Sequence, residues 1–340
     1  APDFETPLGG TGDDSNTYEI NVNVNDGAVD VVQAHTIAVV NVNDNNPVFS
    51  TSAFTGIAEN QTAVGTAAAT DADSASLTFT LAGTGADDGL FSITNGGVIT
   101  FSSAPDFETP LGGTGDDSNT YEINVNVNDG TVDVVQAHTI AVVDVNDNLP
   151  AFSTSAFTGI AENQTAVGTA AATDADGDSL TFTLAGTGAD DGLFSITNGG
   201  VITFSSAPDF ETPLGGTGDD SNTYEINVNV NDGTNDVVQA HTIAVINANE
   251  APVITTTSFS NIAEEQTVIG TLGATDVDSG NSITFAITGG ADSDKFSAGG
   301  IGGSTLAFSG FTPNFENPTG GADDDSNTYL VQITATDNGS

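Results

Sequence analysis

Residues 1–103 and 104–206 align without a gap and differ at only six positions (28/131, 41/144, 46/149, 48/151, 74/177 and 75/178). A chain that repeats itself every 103 residues folds as a row of similar units, each contacting chiefly its neighbours, because a single shared core would have to bury identical segments in different surroundings. A third copy begins at Ala207 and stays nearly identical to about Val245, after which the sequence diverges but keeps its landmarks.

Within a unit the apolar period is two. Tyr121-Glu122-Ile123-Asn124-Val125-Asn126-Val127 and Leu77-Thr78-Phe79-Thr80-Leu81 alternate as half-buried strands do, and no stretch shows a helical period. Turn clusters such as Gly83-Thr84-Gly85-Ala86-Asp87-Asp88-Gly89 separate the strands, so each unit holds about seven. This predicts an all-β chain of tandem Ig-like, Greek-key β-sandwiches in a linear array. Proline junctions at Asn45-Asn46-Pro47, Asn148-Leu149-Pro150 and Glu250-Ala251-Pro252 follow the last Val/Ile-rich strand of each unit. They divide the chain into the closing part of a unit (1–46), two whole units (47–149 and 150–251) and a divergent unit without its last strand (252–340).

Charge limits what such an array does. Forty-seven side chains are acidic and one, Lys295, is basic, for a net charge of −46. Nucleic acid, heparin and anionic membrane surfaces are excluded as partners, and insertion into a membrane is not expected of this region. Self-repulsion on this scale strains a compact chain unless cations from solution neutralise it. With no Cys and three His, a soft or borderline transition metal has little to bind, whereas carboxylates, Asn side chains and backbone carbonyls suit a hard cation such as Ca²⁺. The acids are also clustered: of the 14 carboxylates in residues 48–150, eight (Glu59, Asp71, Asp73, Asp106, Glu108, Asp129, Asp144 and Asp147) fall in five short motifs.

Those motifs are Ala-Glu-Asn early in the unit, Asp-Ala-Asp about twelve residues later, Asp-Phe-Glu past the middle, Asn-Asp-Gly after the Tyr strand, and a junction of the form Asp-Val-Asn-Asp-Asn. In this order and near this spacing they resemble the calcium motifs of the cadherin repeat, and the resemblance covers the whole chain. It implies calcium bound where consecutive repeats meet, about three ions per junction. The central junction would join Glu59, Asp106 and Glu108 to Asp144, Asn146 and Asp147 of the linker and to Asp174, Asp176 and Asp232 of the following unit. The first would use Asp3 and Glu5 with Asn41, Asn43 and Asp44, then Asp71, Asp73 and Asp129. The third would use Glu162, Asp209 and Glu211 with Asn247, Asn249 and Glu250, then Asp276, Asp278 and Asp337. Asn41 and Asn247 stand where the pattern has Asp, and Glu250 replaces a further Asp, so charge is reduced at the first junction and the third departs twice. Asn314-Phe315-Glu316 in the last unit departs in the same way.

His35, His138 and His241 recur with the repeat on a strand and read as structural. The paired acids Asp13-Asp14, Asp116-Asp117, Asp219-Asp220 and Asp323-Asp324-Asp325 read first as turns and only secondarily as peripheral ion sites. Asn60-Gln61-Thr62 and Asn163-Gln164-Thr165 match the glycosylation pattern but adjoin expected ligands. No nucleophile and base pair stands out, so catalysis is not expected. Three roles compete: a calcium-stiffened extracellular stalk of a large surface adhesin, like those of bacteria; a structural filament in which repeats of identical chains are the partners; and a carbohydrate-binding module. The absence of Trp disfavours the last, and it also separates the chain from adhesive cadherins that insert an N-terminal Trp.

Overall fold

A computed structural model describes residues 1–7, 16–73, 76–112, 118–215, 221–299, 303–318 and 327–339. The chain divides into two compact units, Ala1–Asn148 and Leu149–Ser340.

The first unit opens on a hairpin, β1 (Thr17–Asn25) and β2 (Asp30–Ala38), paired antiparallel. A sandwich follows, built from β3 (Val48–Phe49), β4 (Ala53–Ala58), β5 (Ala63–Thr66), β6 (Ala69–Thr70), β7 (Thr78–Leu81), β8 (Phe91–Ile93), β9 (Val98–Phe101), β10 (Thr120–Asn128) and β11 (Asp133–Val143). One sheet has the order β4-β11-β10-β7, with β4 parallel to β11 and the other pairs antiparallel. The other has the order β5-β9-β8, and β3 pairs with β6 beside it. The seven expected strands are seen as nine segments. The first is split into β3 and β4 because it leaves one pairing partner for the other, and the second into β5 and β6.

Period-two burial builds the core. Along β10, Tyr121, Ile123, Val125 and Val127 are buried while Glu122, Asn124, Asn126 and Asn128 face outward. Ile140 and Val142 of β11 and Phe79 of β7 join them, opposite Val64, Phe91, Ile99 and Phe101. Phe91, Phe101 and Tyr121 meet edge-on or tilted at centroid separations of 4.4 to 5.9 Å. Burying each large side chain contributes about 1.5–3 kcal/mol. Asp87 and Asp88 close the end of this core: Asp87 Oδ2 accepts from the Glu122 N–H (2.7 Å), and Asp88 Oδ1 accepts from the Asn124 N–H (2.8 Å). The hairpin leading into β9 needs Gly97, at φ +84°, where a Cβ would collide with the Ala67 carbonyl oxygen.

The second unit runs the same order through β12 (Ala151–Phe152), β13 (Ala156–Ala161), β14 (Ala166–Thr169), β15 (Ala172–Thr173), β16 (Thr181–Leu184), β17 (Phe194–Ile196), β18 (Val201–Phe204), β19 (Thr223–Asn231) and β20 (Asp236–Ile246). A divergent set follows: β21 (Val253–Ile254), β22 (Val268–Thr271), β23 (Ala274–Thr275), β24 (Thr284–Gly289), β25 (Phe296–Ala298), β26 (Thr305–Phe308) and β27 (Gln332–Thr336). Its small core is Leu272, Phe296 and Leu306, packed by Phe285, Tyr329 and Ile333 among others. Among the described residues no helix is long and apolar enough to cross a membrane.

Candidate metal centre

The expected ligands sit just beyond strand ends, in short turns and loops, and in the linkers between repeats. Glu59 and Glu162 follow β4 and β13 directly and are almost wholly buried, at 4% and 3% exposure. Glu59 Oε2 accepts from the Phe107 N–H (2.6 Å) and Oε1 from the Val145 N–H (2.9 Å). Glu162 repeats the arrangement with the Phe210 N–H (2.6 Å) and the Ala248 N–H (2.9 Å). One carboxylate thus ties the end of the first strand to the Asp-Phe-Glu loop and to the chain leaving the last strand. The residues flanking Phe107 and Phe210 complete two clusters, Glu59–Asp106–Glu108 and Glu162–Asp209–Glu211, whose carboxylate oxygens lie within 4.8 Å of one another. Asp106 and Asp209 cap their own turns through the Thr109 and Thr212 N–H groups (2.9 and 2.8 Å), and the hydroxyls of these threonines, with their amides second, hold both carboxyls below the ordinary value.

In the first unit Glu5, Asp44 and Asp73 form another cluster. Asp73 Oδ2 accepts from the Asp44 N–H (2.9 Å) and the Asn45 N–H, its own N–H donates to Asp71 Oδ1 (2.8 Å), and its carbonyl accepts from Asn41 Nδ2 (2.9 Å). Asn43 Nδ2 donates to the Asp129 carbonyl (3.2 Å), so Asn41, Asn43, Asp44, Asp71, Asp73 and Asp129 come together. Asp129 is buried, and the Val132 and Thr131 amides lower its pKa. Glu5 is raised, chiefly because its carboxyl shares a hydrogen bond with that of Asp73 and secondarily by burial. Asp3 is exposed; its Oδ1 accepts from the Glu5 and Thr6 amides (3.1 Å each), which orients Glu5.

The third set is gathered within the second unit. Glu250 N–H donates to Asp278 Oδ2 (2.8 Å), Asp278 N–H to Asp276 Oδ1 (2.9 Å), Asn249 Nδ2 to Asp337 Oδ1 (3.1 Å) and Asn247 Nδ2 to Glu211 Oε1 (3.2 Å). Asp278 is 93% buried by its 7% exposure, yet its Oδ1 has no hydrogen-bond partner; Asp276 Oδ2 and Glu250 Oε2 are likewise buried without one. Glu250 and Glu211 are both raised, first by burial and then by the negative charge of Glu162 among others. Anionic oxygens packed together without donors are costly unless a cation coordinates them.

The central set divides between the two units. In the first, Glu59, Asp106 and Glu108 cluster as above, Asn148 Nδ2 donates to Glu108 Oε2 (3.1 Å) and Asp147 Oδ1 (2.9 Å), Asn146 is half-buried and Asp144 is exposed. In the second, Asp174 Oδ1 accepts from the Asp176 N–H (3.0 Å), and buried Asp232 accepts from the Thr234 and Asn235 amides (2.7 and 2.6 Å). Asp178 joins Asp174 and Asp176 in a cluster that the motif reading missed. Its signal was the alternation Asp174-Ala175-Asp176-Gly177-Asp178, where the preceding repeat has Ala75 in place of Asp178. Asn60 and Asn163 were also missed as site residues: both adopt φ 61° and donate through Nδ2 to Asp147 and Glu250. The same bonds occupy the amides that the glycosylation pattern would use. The paired acids at Asp13-Asp14, Asp116-Asp117, Asp219-Asp220 and Asp323-Asp324-Asp325 lie outside the described residues.

Oxygen-only clusters of Asp, Glu and Asn, with backbone carbonyls beside them, match the donor set of Ca²⁺ and not that of zinc or copper. No family model matches the sequence, and no curated protein does. Solved structures do. A protocadherin gammaB7 EC3-6 cis-dimer structure aligns with a TM-score of 0.53 at 19% identity, over 95% of this chain and 81% of that one. Human CDH23 EC21-23 aligns with a TM-score of 0.52 at 21% identity, over 77% and 90%. Protocadherin Gamma B2 extracellular cadherin domains 3-6 align with a TM-score of 0.51 at 18% identity, over 99% and 81%. The likeness is one of fold, and in fold this chain is a tandem array of cadherin-like β-sandwich repeats.

Proposed function

We propose that the chain is a calcium-binding, calcium-rigidified extracellular spacer, the stalk or extender region of a large repetitive surface adhesin. The observation that carries this reading is the set around Asp278, where buried carboxylate oxygens of Asp276, Asp278 and Glu250 stand together without hydrogen-bond donors while backbone amides hold the other oxygens of Asp276 and Asp278 and the Asn163 side-chain amide holds that of Glu250. A hard dication supplies the missing charge and binds six to eight such oxygens. The residues that would hold it are those of the three sets above, with Asp178 as an added carboxylate beside Asp174 and Asp176.

In a repeat array each unit touches its sequence neighbours, so stiffness is decided at the linkers. Cations shared between the linker and the units flanking it remove the freedom of the linker; without them the same carboxylates repel. Sandwiches of this size advance about 40 Å per repeat, at roughly 3.3 Å per strand residue plus loops. Small-angle scattering of the chain is expected to give a longer maximum dimension and narrower conformational spread in millimolar Ca²⁺ than in EGTA. An unchanged maximum dimension would contradict the rigidifying role.

A further inference from the structure

Two fully buried histidines take no part in the metal sets. His138 of β11 and His241 of β20 are 0% exposed, in cores otherwise built of Val, Ile, Phe and Tyr. His138 Nδ1 donates to the Gln136 carbonyl (3.1 Å), and its Nε2 has no partner; neither ring nitrogen of His241 has one. One segment supplies both aromatic contacts to each ring. Phe49 of β3 lies edge-on to His138 at 5.2 Å and Phe54 of β4 stacks on it at 6.1 Å; Phe152 and Phe157 do the same to His241 at 5.2 and 6.1 Å. Residues 48–58 therefore form a strap: β3 is bonded to β6, β4 is the outermost strand of the other sheet, and the imidazole lies beneath the crossing.

We propose that the strap over His241 is an acid-released latch, closed over a neutral imidazole and opened when that imidazole takes up a proton. A buried imidazolium with an unpartnered N–H must reach water, and the strap is the weakest cover in its way. Beyond its Phe contacts, the strap over His241 is held by two β12 residues paired with β15, a shifted register against β20, the Ser153 N–H and hydroxyl donating to the Ala171 carbonyl (2.8 and 3.1 Å), and the Ala171 N–H donating to the Thr154 hydroxyl (3.2 Å); the strap over His138 repeats these with Ser50, Thr51 and Ala68 and adds bonds from Gln136 Nε2 to the Thr51 carbonyl (3.2 Å) and from the Thr139 N–H to the Ser52 carbonyl (3.4 Å). No charge from the surrounding elements compensates. The straps, 47–58 and 150–161, contain no ionisable residue. On β10 and β19 the core-facing titratable groups are Tyr121 and Tyr224, both pushed up by burial and so neutral. Asp88 grips the β7-facing edge of β10 at Asn124, away from β11, as Asp191 does at Asn227, and Asp133 and Asp236 are exposed at the strand starts. Burial alone pushes the His241 imidazole below its ordinary value. A depressed folded value means that the closed state is favoured above the free imidazole pKa of about 6.5 and loses that advantage as pH falls through it.

Hydrogen exchange on the calcium-loaded chain, corrected for intrinsic rates, tests this. Between pH 7.5 and pH 5.0 the opening constant of residues 151–161 is expected to rise by up to about thirtyfold, since an exposed ring with a pKa near 6.5 is about thirtyfold protonated over neutral at pH 5. Amides of β19 should stay protected, and a His241→Gln chain should show strap opening that no longer changes with pH. A strap that stays equally protected at both pH values, or a variant that responds as the parent does, would overturn the proposal. Ring NMR on the parent chain gives a reading independent of the variant's folding: a His241 imidazole that titrates near pH 6.5 beneath a protected strap would also overturn it.

Discussion

Adding Ca²⁺ to the chelated chain is expected to raise its thermal unfolding midpoint by several degrees or more, and the gain should follow Ca²⁺ specifically. An ion that binds only the folded form contributes about 2.7 kcal/mol when present at a hundredfold excess over its Kd, and each set offers a carboxylate cluster. Relief of existing strain adds to this, because Glu250, Glu211 and Glu5 are held above their ordinary pKa by burial and by neighbouring carboxylates. Mg²⁺ should do less, since it demands near-ideal octahedral geometry and keeps its waters, whereas these oxygens are fixed by turns built for other hydrogen bonds. Melting curves in EGTA, Ca²⁺, Mg²⁺ and NaCl at matched ionic strength separate the cases. Equal shifts in all the salts would reduce the effect to screening of the −46 net charge.

Glu162→Ala is expected to destabilise its repeat by about 2–4 kcal/mol even in chelator, whereas Asp209→Ala should cost less than about 1 kcal/mol there. Both variants should lose calcium affinity. The difference lies in what each carboxylate does without an ion. Glu162 is 97% buried by its 3% exposure and accepts from two backbone amides, Phe210 and Ala248, that lose this acceptor in the variant. Asp209 is exposed and caps a turn at Thr212. Urea unfolding in EGTA is the measurement, and equal losses would show that Glu162 serves the ion alone and not the scaffold.

The alternation of Tyr121 through Val127 was enough to place β10 and its inward face, because a period of two leaves a strand only one way to bury its apolar set. The five acidic motifs were legible because their order and spacing recur. What they did not reveal was the second role of Glu59 and Glu162 as acceptors for backbone amides, which depends on two loops meeting at one strand end. Asp178 escaped for a different reason: it extends the Asp174-Ala175-Asp176 alternation by one step, but the preceding repeat has Ala75 there, so the repeated motif ends at Asp176.

Calorimetric Ca²⁺ titration of the whole chain, beside the Asp278→Asn chain, bears most directly on the claim that these clusters are calcium sites. Asp278→Asn keeps the shape of a 93%-buried side chain and removes the charge of an oxygen that no donor satisfies. The expected result is saturable uptake of several ions, up to about three per junction, with the variant losing at least one ion or binding it tenfold more weakly or worse. Uptake that fails to saturate below about 10 mM Ca²⁺, or a variant that binds the same number of ions as tightly as the parent, would contradict the account.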